Sequence, residues 1–544
     1  MKKVLLTLVI LLLAWSSLDA APETRTLLVF PFENQSSNSD LGWISEAFAQ
    51  VLSWRLAGPS RYVLGREERN AAYEQLGLPL DTPLTLASSY KVAQTLGVDW
   101  AVVGSFKIAG NQLTARCELL DVQRLKLTPA LEATGALADL VDIQTQLVWR
   151  LLATNDPDFT AGTEEDFARG FPPIRLDAFE NYIRGILATD NESRVHFLRE
   201  ADRLNPADHR AAFALGQEYF DQKQYAESGE WLRELAPADA NYLESLFFLG
   251  VDEYFLGEDT KAEQSFAKLE SQIPLDEVAN NLGLMKARRG KYAEALADLE
   301  RAYQGDPTDP DFCFNMAVCL WRLKRDDEAA QYLEKGLREK DDDPEAHALL
   351  ARVDEKLGNR DGQQRELQWL ANAEGASAAD PPPDFTPQMR LKKFYNGRAF
   401  HLLALVVRNT EEAKLAAEPP AEHAQAHLTQ GKKLMAQGRL AEAERDLNEA
   451  ESLAPESSEV HLVLGQVYEA EGRHREAAAE LEASLRYDNN AMTHLWLARV
   501  YVSLNQRAQA LDQGRAALAL DPGNPDAERL VEAIRQRPAA RKTP

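Results

Sequence analysis

Three histidines near the end of the chain carry side chains that could ligate a metal. His461, His474 and His494 are imidazoles, which are common metal ligands. They fall in different hairpins of a repeat described below, and we expect them on different faces of the molecule. The sequence therefore predicts no metal site from these residues.

Other reactive patterns are weak or absent in the sequence. Asp341–Asp343 lacks the alternate ligand spacing and terminal Glu of a calcium loop, so a turn between hairpins is the better interpretation. Cys313 and Cys319 lie six residues apart on one predicted helix, and with Cys117 they form an odd set that favours buried, unpaired thiols. No His-Glu-x-x-His, Cys-x-x-Cys, phosphate loop or Gly-x-Ser-x-Gly occurs. We predict no catalytic residue, metal or cofactor.

The residues that recur at a fixed spacing are small ones on predicted helices. In the clearest copy, Leu464, Gly465 and Tyr468 share a helix face, and Gly472 ends that helix. A small residue beside leucine lets two helices approach closely. Equivalent small residues lie 34, 33, 34 and 34 apart in one series and 34 and 33 apart in another: Gly216, Gly250, Gly283, Ala317 and Ala351, then Gly431, Gly465 and Ala498.

This pattern resembles the tetratricopeptide repeat, a hairpin of two helices that stacks on its neighbours. The resemblance covers about nine copies. About six copies span 175–376, and about three copies with a cap helix span 421–537. The predicted fold class is multidomain, with a small α/β (α+β) amino-terminal domain followed by an all-α solenoid in two arrays.

The resemblance also implies where a partner binds. In such stacks the first helix of each hairpin lines the concave surface, and we expect a groove there for a peptide or an amphipathic helix. Burial of the same rings between helices is the open alternative. The repeat register assigns these residues to the groove: Phe213, Phe220, Phe247, Tyr254, Phe314 and Trp321, with Gln217, Asn281 and Arg322 as polar contacts at its rim.

Residues 22–155 lack the repeat and alternate between strand and helix patterns. Predicted strands lie at 27–30, 62–64, 100–106 and 112–122, the last two in a hairpin; predicted helices lie at 41–56, 66–76, 86–96 and 136–153. LLVFPFENQSS and LGVDWAVVGSFKIAGNQLTARCELLDVQ are similar to the amino-terminal domain of the TolB kind, which is related to FlgO and CsgG envelope proteins. The resemblance implies a place in envelope or secretion assemblies. The lipid-attachment Cys of the CsgG pores is missing, which argues against a pore.

Two connectors interrupt the chain. Residues 156–174 contain Asp, Gly, Thr and paired prolines and are predicted to link domains. Residues 377–420 contain Asp380–Asp384 with three prolines, a predicted hinge, and then a basic amphipathic stretch from Met389 to Ala417 predicted as one helix or two. This stretch could contact an anionic membrane surface or pack on the neighbouring array.

The composition limits the possible partners, and the first residues predict the location. The formal net charge of −26 and pI near 4.9 argue against nucleic-acid binding. Residues 1–20 have Lys2 and Lys3, a short apolar run and a small residue at Ala20, which predicts an export signal and a periplasmic or secreted protein. A retained anchor is the alternative.

Three functions of different classes remain open from the sequence. The first is a non-enzymatic scaffold of the bacterial cell envelope that binds a protein or peptide partner, with peripheral membrane contact as an open alternative. The second is a sensor that binds a small ligand in the amino-terminal domain, and the third is a hydrolase hidden in that domain. The absence of catalytic motifs favours the scaffold.

Overall fold

The structure is a computed structural model that describes residues 24–36, 38–80, 83–157, 159–160, 162–373, 385–417 and 420–536. The predicted export signal at 1–20 and the three prolines of the predicted hinge lie outside these residues. The chain divides into two compact units, Met1–Arg408 and Asn409–Pro544.

The first unit begins with a seven-stranded mixed sheet. Its order is β3-β1-β4-β5-β6, with β2 paired to β4 and β7 paired to β5. Strands β1, β3 and β4 run parallel, whereas β4, β5 and β7 are antiparallel neighbours. The strands are β1 (Arg25–Val29), β2 (Glu33–Asn34), β3 (Arg61–Leu64), β4 (Trp100–Ala109), β5 (Gln112–Asp121), β6 (Lys126–Leu127) and β7 (Leu131–Ala136).

Helices cover both faces of this sheet. Side chains alternate along β1, so its apolar residues enter a core on each face. Leu27 and Val29 face one core with helices α1 (Trp43–Leu56) and α4 (Leu140–Asn155). Leu28 and Phe30 face a second core with α2 (Arg66–Gln75) and α3 (Leu86–Leu96). The predicted α/β class is confirmed. The sequence missed β7, and the helix predicted from residue 136 begins at Leu140.

The segment after α4 is packed rather than detached. It contains the short helix α5 (Glu164–Arg169), and Phe159 and Phe167 pack on the core of the amino-terminal domain. Buried Asp156 pairs with Arg25 and Arg61 at 3.3 and 2.7 Å. Phe179 and Ile183, from the first helix after the connector, also lie in that core. The segment predicted to link two domains therefore does not separate them, because apolar side chains on both sides share one core.

Six helical hairpins follow, which we call the first array. The hairpins are α6 (Leu176–Leu187) with α7 (Asn191–Leu204), α8 (Arg210–Asp221) with α9 (Tyr225–Leu232), α10 (Tyr242–Phe255) with α11 (Asp259–Glu270), α12 (Asp276–Arg288) with α13 (Tyr292–Gly305), α14 (Pro310–Arg322) with α15 (Asp326–Glu339), and α16 (Pro344–Leu357) with α17 (Arg360–Asn372).

The small residues that repeat in the sequence lie where two helices of a hairpin touch. A Cβ placed on Gly216 would lie 2.5 Å from Leu232 Cδ2, and one on Gly283 would lie 2.8 Å from Leu299 Cγ. Real Cβ contacts are not this short, so these positions exclude larger side chains. This confirms the close approach that the spacing predicted.

The turn inside each hairpin of the first array after the first one has a second repeating feature, a residue with positive φ. Gly257, Gly290 and Gly358 have φ of 75°, 77° and 74°, and Lys223 and Lys324 take φ of 60° and 63° at equivalent turns. The left-handed conformation suits glycine because it has no Cβ. The same backbone therefore recurs at a period of about 34 residues even where glycine is absent.

Residues after the first array return to it. Residues 385–396, which we call the groove segment, lie outside helices and strands, and α18 (Gly397–Ala417) follows. Both backbone groups of Arg390 and of Lys392 bond to the same side of the segment, as in an extended chain. Phe400 packs in the core of the first array, and Leu405 packs in the α2–α3 core of the amino-terminal domain. The prediction of a helix from residue 389 is wrong for its first turns. Packing of the amphipathic helix on its neighbours is what the structure shows, so these apolar side chains are not free for a membrane.

The second unit contains three hairpins and a final helix, as the repeat spacing predicted. We call this set the second array. A Cβ on Gly465 would lie 2.6 Å from Leu481 Cγ, which repeats the contact of the first array. Among the helices that the structure describes, none is long and apolar enough to cross a bilayer. The helices are α19 (Pro420–Ala436), α20 (Leu440–Leu453), α21 (Ser458–Ala470), α22 (His474–Tyr487), α23 (Ala491–Ser503), α24 (Arg507–Leu520) and α25 (Pro525–Gln536).

Candidate peptide-binding groove

Side-chain amides of the first array hold the backbone of the groove segment. Asn315 on α14 accepts from the Arg390 N–H and donates to the Arg390 carbonyl, both at 2.7 Å. Asn281 on α12 makes the same pair of bonds with Lys392, both at 2.8 Å. Asn280 adds a bond of 3.0 Å to the Arg390 carbonyl. These contacts use only backbone atoms of the segment, so they recognise an extended chain rather than particular side chains.

The three asparagines also support one another. Asn280, Asn281 and Asn315 are fully buried, and Asn315 donates to Asn280 Oδ1 at 2.7 Å. Buried amides are costly without partners. The groove segment supplies most of these partners, so the asparagines and the segment depend on each other.

Carboxylates beside this ladder bind the basic side chains of the segment. Arg390 pairs with Asp343 at 2.5 Å and with Asp311 at 3.2 Å. Lys392 pairs with Asp309 at 2.7 Å and with Asp311 at 2.8 Å. Residues two apart on an extended chain point the same way, which brings both cations to one acidic wall.

The pKa of Asp311 reflects this pairing. Burial raises the pKa of this carboxyl, but the hydrogen bonds and charges of Lys392 and Arg390 together outweigh burial and hold the pKa below its usual range. The pKa of Asp343 is lowered in the same way, with Arg390 opposing burial. Asp311 and Asp343 are therefore stabilised in their charged form by the cations of the segment.

Aromatic residues surround the far end of the groove segment. The Tyr395 ring lies 4.7 Å from Phe247 and 4.9 Å from Phe400, between centroids. Its hydroxyl donates to Glu244 Oε1 at 2.7 Å. His401 Nε2 lies 3.2 Å from the same oxygen. Burial raises the pKa of Glu244, but hydrogen bonds from His401, Asn241 and Tyr395 and the His401 charge reverse this and lower it.

The predicted groove aromatics lie partly under this segment. Phe314 faces the Arg390 guanidinium at 3.8 Å, and Phe220 lies 6.4 Å from Phe394. Phe247 contacts Tyr395 as described above. Four of the six predicted rings are buried: Phe213, Phe220, Phe247 and Phe314. The buried alternative therefore holds for these four, and the surface beside them is not open.

The remaining predicted groove residues are half-buried and more peripheral. Tyr254 lies under the Arg288 guanidinium at 4.8 Å. Trp321 lies between Arg322 and Lys356, each 4.8 Å from its ring. Gln217 on α8 is also half-buried. That these residues bind a partner stays a prediction.

Sequence reasoning missed Asn280, Asn315 and the acidic wall. It placed only Asn281 at the rim, although this residue holds the centre of the segment. A usable signal was present, because Asn280, Asn281 and Asn315 interrupt apolar faces of predicted helices at one repeat spacing. Buried amides need partners, and the bonds among the three asparagines satisfy only part of their hydrogen-bonding capacity.

Two of the three histidines occupy equivalent positions, and His461 and His474 lie on the two helices of one hairpin, both contrary to expectation. His461 and His494 lie 33 residues apart in the first helices of successive hairpins, and their Nδ1 atoms lie 2.7 Å from Glu480 and 2.5 Å from Gln513. His347 of the first array makes the same kind of pair with Glu366 at 2.5 Å. The shared register places these side chains on the same face, between the two helices of a hairpin.

One of these histidines has a second carboxylate nearby. Ligand atoms of Glu451, His461 and Glu480 all lie within 4.8 Å of one another, a spacing that could hold a metal ion. His461 Nε2 lies 2.9 Å from the Pro455 carbonyl, and His347 Nε2 lies 3.0 Å from the Asp341 carbonyl. Because the bond from Nδ1 to a carboxylate of the paired helix recurs at His347 and His461, we interpret it as a contact that joins the two helices of a hairpin. The three cysteines are buried and free, as predicted.

The amino-terminal domain contains a separate cavity of about 790 Å³. Arg69 donates to both carboxylate oxygens of Glu46 at the cavity wall, at 2.9 and 2.7 Å. The Glu46 carboxylate therefore forms a structural ion pair. A cavity of this volume is large enough for a small ligand. Its lining includes Phe30, Phe32, Glu46, Tyr73, Arg116 and Glu118.

Comparisons with known proteins support the repeat. Two family models described as tetratricopeptide repeat match this chain, one at residues 287–353 and 434–493, the other at 195–242 and 470–525. Together with the nine hairpins in the part of the chain that the structure describes, these matches confirm tetratricopeptide repeats. No curated protein matches the chain.

Solved structures similar to this chain cover only parts of it. MamA AMB-1 is 21% identical with a TM-score of 0.29, over 32% of this chain and 96% of that one. YrrB, described as a TPR protein with an unusual peptide-binding site, is 15% identical with a TM-score of 0.29, over 31% of this chain and 89% of that one. The first TPR of Spaghetti (RPAP3), bound to an HSP90 peptide, is 16% identical with a TM-score of 0.21, over 21% and 93%.

Proposed function

We propose that this protein is a non-enzymatic interaction scaffold of the bacterial cell envelope that binds partner peptides or helices on the concave faces of its repeats. The observation that carries the proposal is the pair of asparagines that hold an extended backbone on the first array. Bonds to backbone atoms suit a surface that binds polypeptide. Repeat proteins present such surfaces over many hairpins.

The second array supplies another candidate face for a partner. The register positions of Asn281 and Asn315, two residues before the small residue, correspond there to Thr429, Val463 and Trp496. Trp496 is half-buried beside Arg499, whose guanidinium lies 4.9 Å from its ring. Tryptophan and arginine are enriched among residues that dominate interface energies. We propose that this face binds the partner.

The envelope assignment rests on two features of the sequence. Lys2, Lys3 and the following apolar run have the pattern of an export signal, and residues 25–150 resemble domains of envelope proteins. Mass spectrometry of the mature protein should find that about the first twenty residues are lost. An intact Met1 on a cytoplasmic product would contradict the envelope assignment.

Site-specific photo-crosslinking tests the scaffold directly. A photoreactive residue at Trp496 in the full chain should give a discrete adduct with one envelope protein. The matched control is the same group at exposed Arg475, on the second helix of a neighbouring hairpin, which should give no adduct. Equal labelling from both positions, or none from either, would contradict binding on the concave face.

A ligand-binding sensor is the second candidate, because the amino-terminal cavity is of suitable size. On this alternative, a small anionic ligand would raise the melting temperature of the first unit, and Arg116→Ala would remove the effect. Loss of that shift without loss of the Trp496 adduct would assign the two functions to different parts of the chain. The hydrolase alternative gains nothing from the cavity, since Glu46 there is paired with Arg69.

A further inference from the structure

The groove segment is bound as a separate peptide would be bound. It is extended, it crosses at least two hairpins, and its backbone is held at every second residue, Arg390 and Lys392. The asparagines that hold it lie 34 residues apart, one on each of two successive hairpins. A step of one repeat along the array therefore corresponds to a step of two residues along the bound segment.

Side chains of the segment divide between two environments. Arg390 and Lys392 meet Asp309, Asp311 and Asp343 on one side. Met389 and Leu391 pack on the apolar core of the array. An extended chain sends alternate residues to opposite sides, so this site fits an alternating apolar–basic sequence.

The site is less selective for the next two residues of the segment. Lys393 is exposed, with its ammonium 5.1 Å from the Phe255 ring, and Phe394 is 67% exposed. Tyr395 is held again, through its ring and its hydroxyl. The recognised pattern is therefore apolar, basic, apolar, basic, two free positions and tyrosine.

The segment is joined to the end of the array through residues 373–384, so it is presented at a high effective concentration. An external peptide of equal intrinsic affinity would compete poorly with it. The site is thereby restricted to partners that displace the segment.

We propose that the concave face of the first array is a binding site for an extended basic peptide, and that residues 385–396 are its intramolecular ligand. This inference rests on the proposed scaffold function and names the partner chemistry of its first groove. The partner is a polypeptide with cations at alternate positions, apolar residues between them and no proline at the two anchored positions. Proline is excluded because both anchored amides donate hydrogen bonds.

Competition in trans tests the proposal on the full chain. The probe is a fluorescein-labelled synthetic peptide of residues 385–396, and fluorescence anisotropy measures its binding. R390E/K392E places acidic side chains against the acidic wall and should release the internal segment. This variant should bind the probe about tenfold more tightly, or better, than the unchanged chain. A probe that carries the same two charge reversals should not bind.

Controls separate release of the segment from general damage. Lys393→Glu changes a neighbouring exposed cation and should leave binding as weak as in the unchanged chain. Adding N281A/N315A to R390E/K392E should abolish probe binding. Where R390E/K392E lacks the helical circular dichroism of the unchanged chain, R390A/K392A replaces it in the same assay.

Equal binding of the probe by the unchanged chain and the folded charge variant would overturn the proposal, and the segment would then be a fixed part of the array. Binding that survives N281A/N315A would overturn it as well. The Trp496 adduct reports on the other array, so its presence or absence distinguishes failure of the scaffold function from failure of this inference.

Discussion

The two arrays share a hairpin but differ at one repeat position. In the first array, Asn281 and Asn315 hold an extended segment of the same chain. In the second, the Thr429 hydroxyl donates to the Gln425 carbonyl of its own helix, and Val463 and Trp496 have no side-chain amide. The helix–helix contacts beneath these positions are the same, with Gly283 on Leu299 and Gly465 on Leu481. The two arrays therefore share their helix packing and differ at a position that holds the groove segment in the first array.

The largest expected effect comes from removing the amides that distinguish the first array. N281A/N315A deletes four hydrogen bonds to the groove segment, each worth about 0.5–1.5 kcal/mol, so we expect a loss of about 2–6 kcal/mol. Urea unfolding followed by circular dichroism should show an earlier transition of the first unit. Thr429→Ala, at the equivalent position of the second array, is the matched control and should change its unit little. An unchanged first transition in N281A/N315A would argue against the amide ladder.

Overpacking at the shared contact should affect each array separately. Gly465→Leu places a branched side chain against Leu481 and should cost about 1–3 kcal/mol. Thermal unfolding should show loss of stability in the second unit and none in the first. Gly283→Leu should give the reverse. If either variant lowered both transitions equally, the division into two units would be wrong.

A buried carboxyl makes the first array sensitive to pH. Asp252 on α10 is fully buried, and burial raises its pKa from 3.8 to about 7 against the opposing influence of Ser228 and Arg233. The stabilisation that the protonated Asp252 carboxyl provides is therefore fully present below pH 3.8, and it is lost as the pH rises through about 7.

Asp252→Asn should remove that decline. We expect the variant to be more stable than the unchanged chain by about 1–3 kcal/mol at pH 8, with a smaller difference near pH 5. Melting temperatures at the two pH values measure this. Exposed Asp361→Asn is the control. A difference that does not grow with pH would show that Asp252 ionises normally.

The smallest effect is expected in the second array. The hydrogen bond to Glu480 raises the pKa of His461 above 6.5, with burial opposing it. The stabilisation is fully present below pH 6.5 and is lost as the pH rises through the raised pKa. His461→Gln should flatten this dependence by less than about 1 kcal/mol. The control is His494→Gln, because His494 faces the neutral amide of Gln513. An unchanged pH dependence in His461→Gln would remove the role of this pair.

Local patterns predicted the repeat and most of the sheet because these depend on neighbours in sequence. Small residues at a period near 34 mark close helix contacts, and Gly110-Asn111 marks the β4–β5 turn. The conformation of the groove segment could not be predicted from local patterns. Its alternating basic and apolar residues suggested a helix, but contacts with residues more than 70 positions away hold it extended. Likewise, β7 forms because β5 pairs with it, although its sequence is rich in Ala and Gly.

The central claim is that the first array's groove is filled by the protein's own residues 385–396. Residue-resolved amide hydrogen exchange on the full chain tests this most directly. The Arg390 and Lys392 amides donate to Asn315 and Asn281, so they should exchange far more slowly than the amides of Leu391 and Lys393. N281A/N315A should abolish that alternation. Exchange of all four amides at the rate of an unstructured peptide would contradict the account.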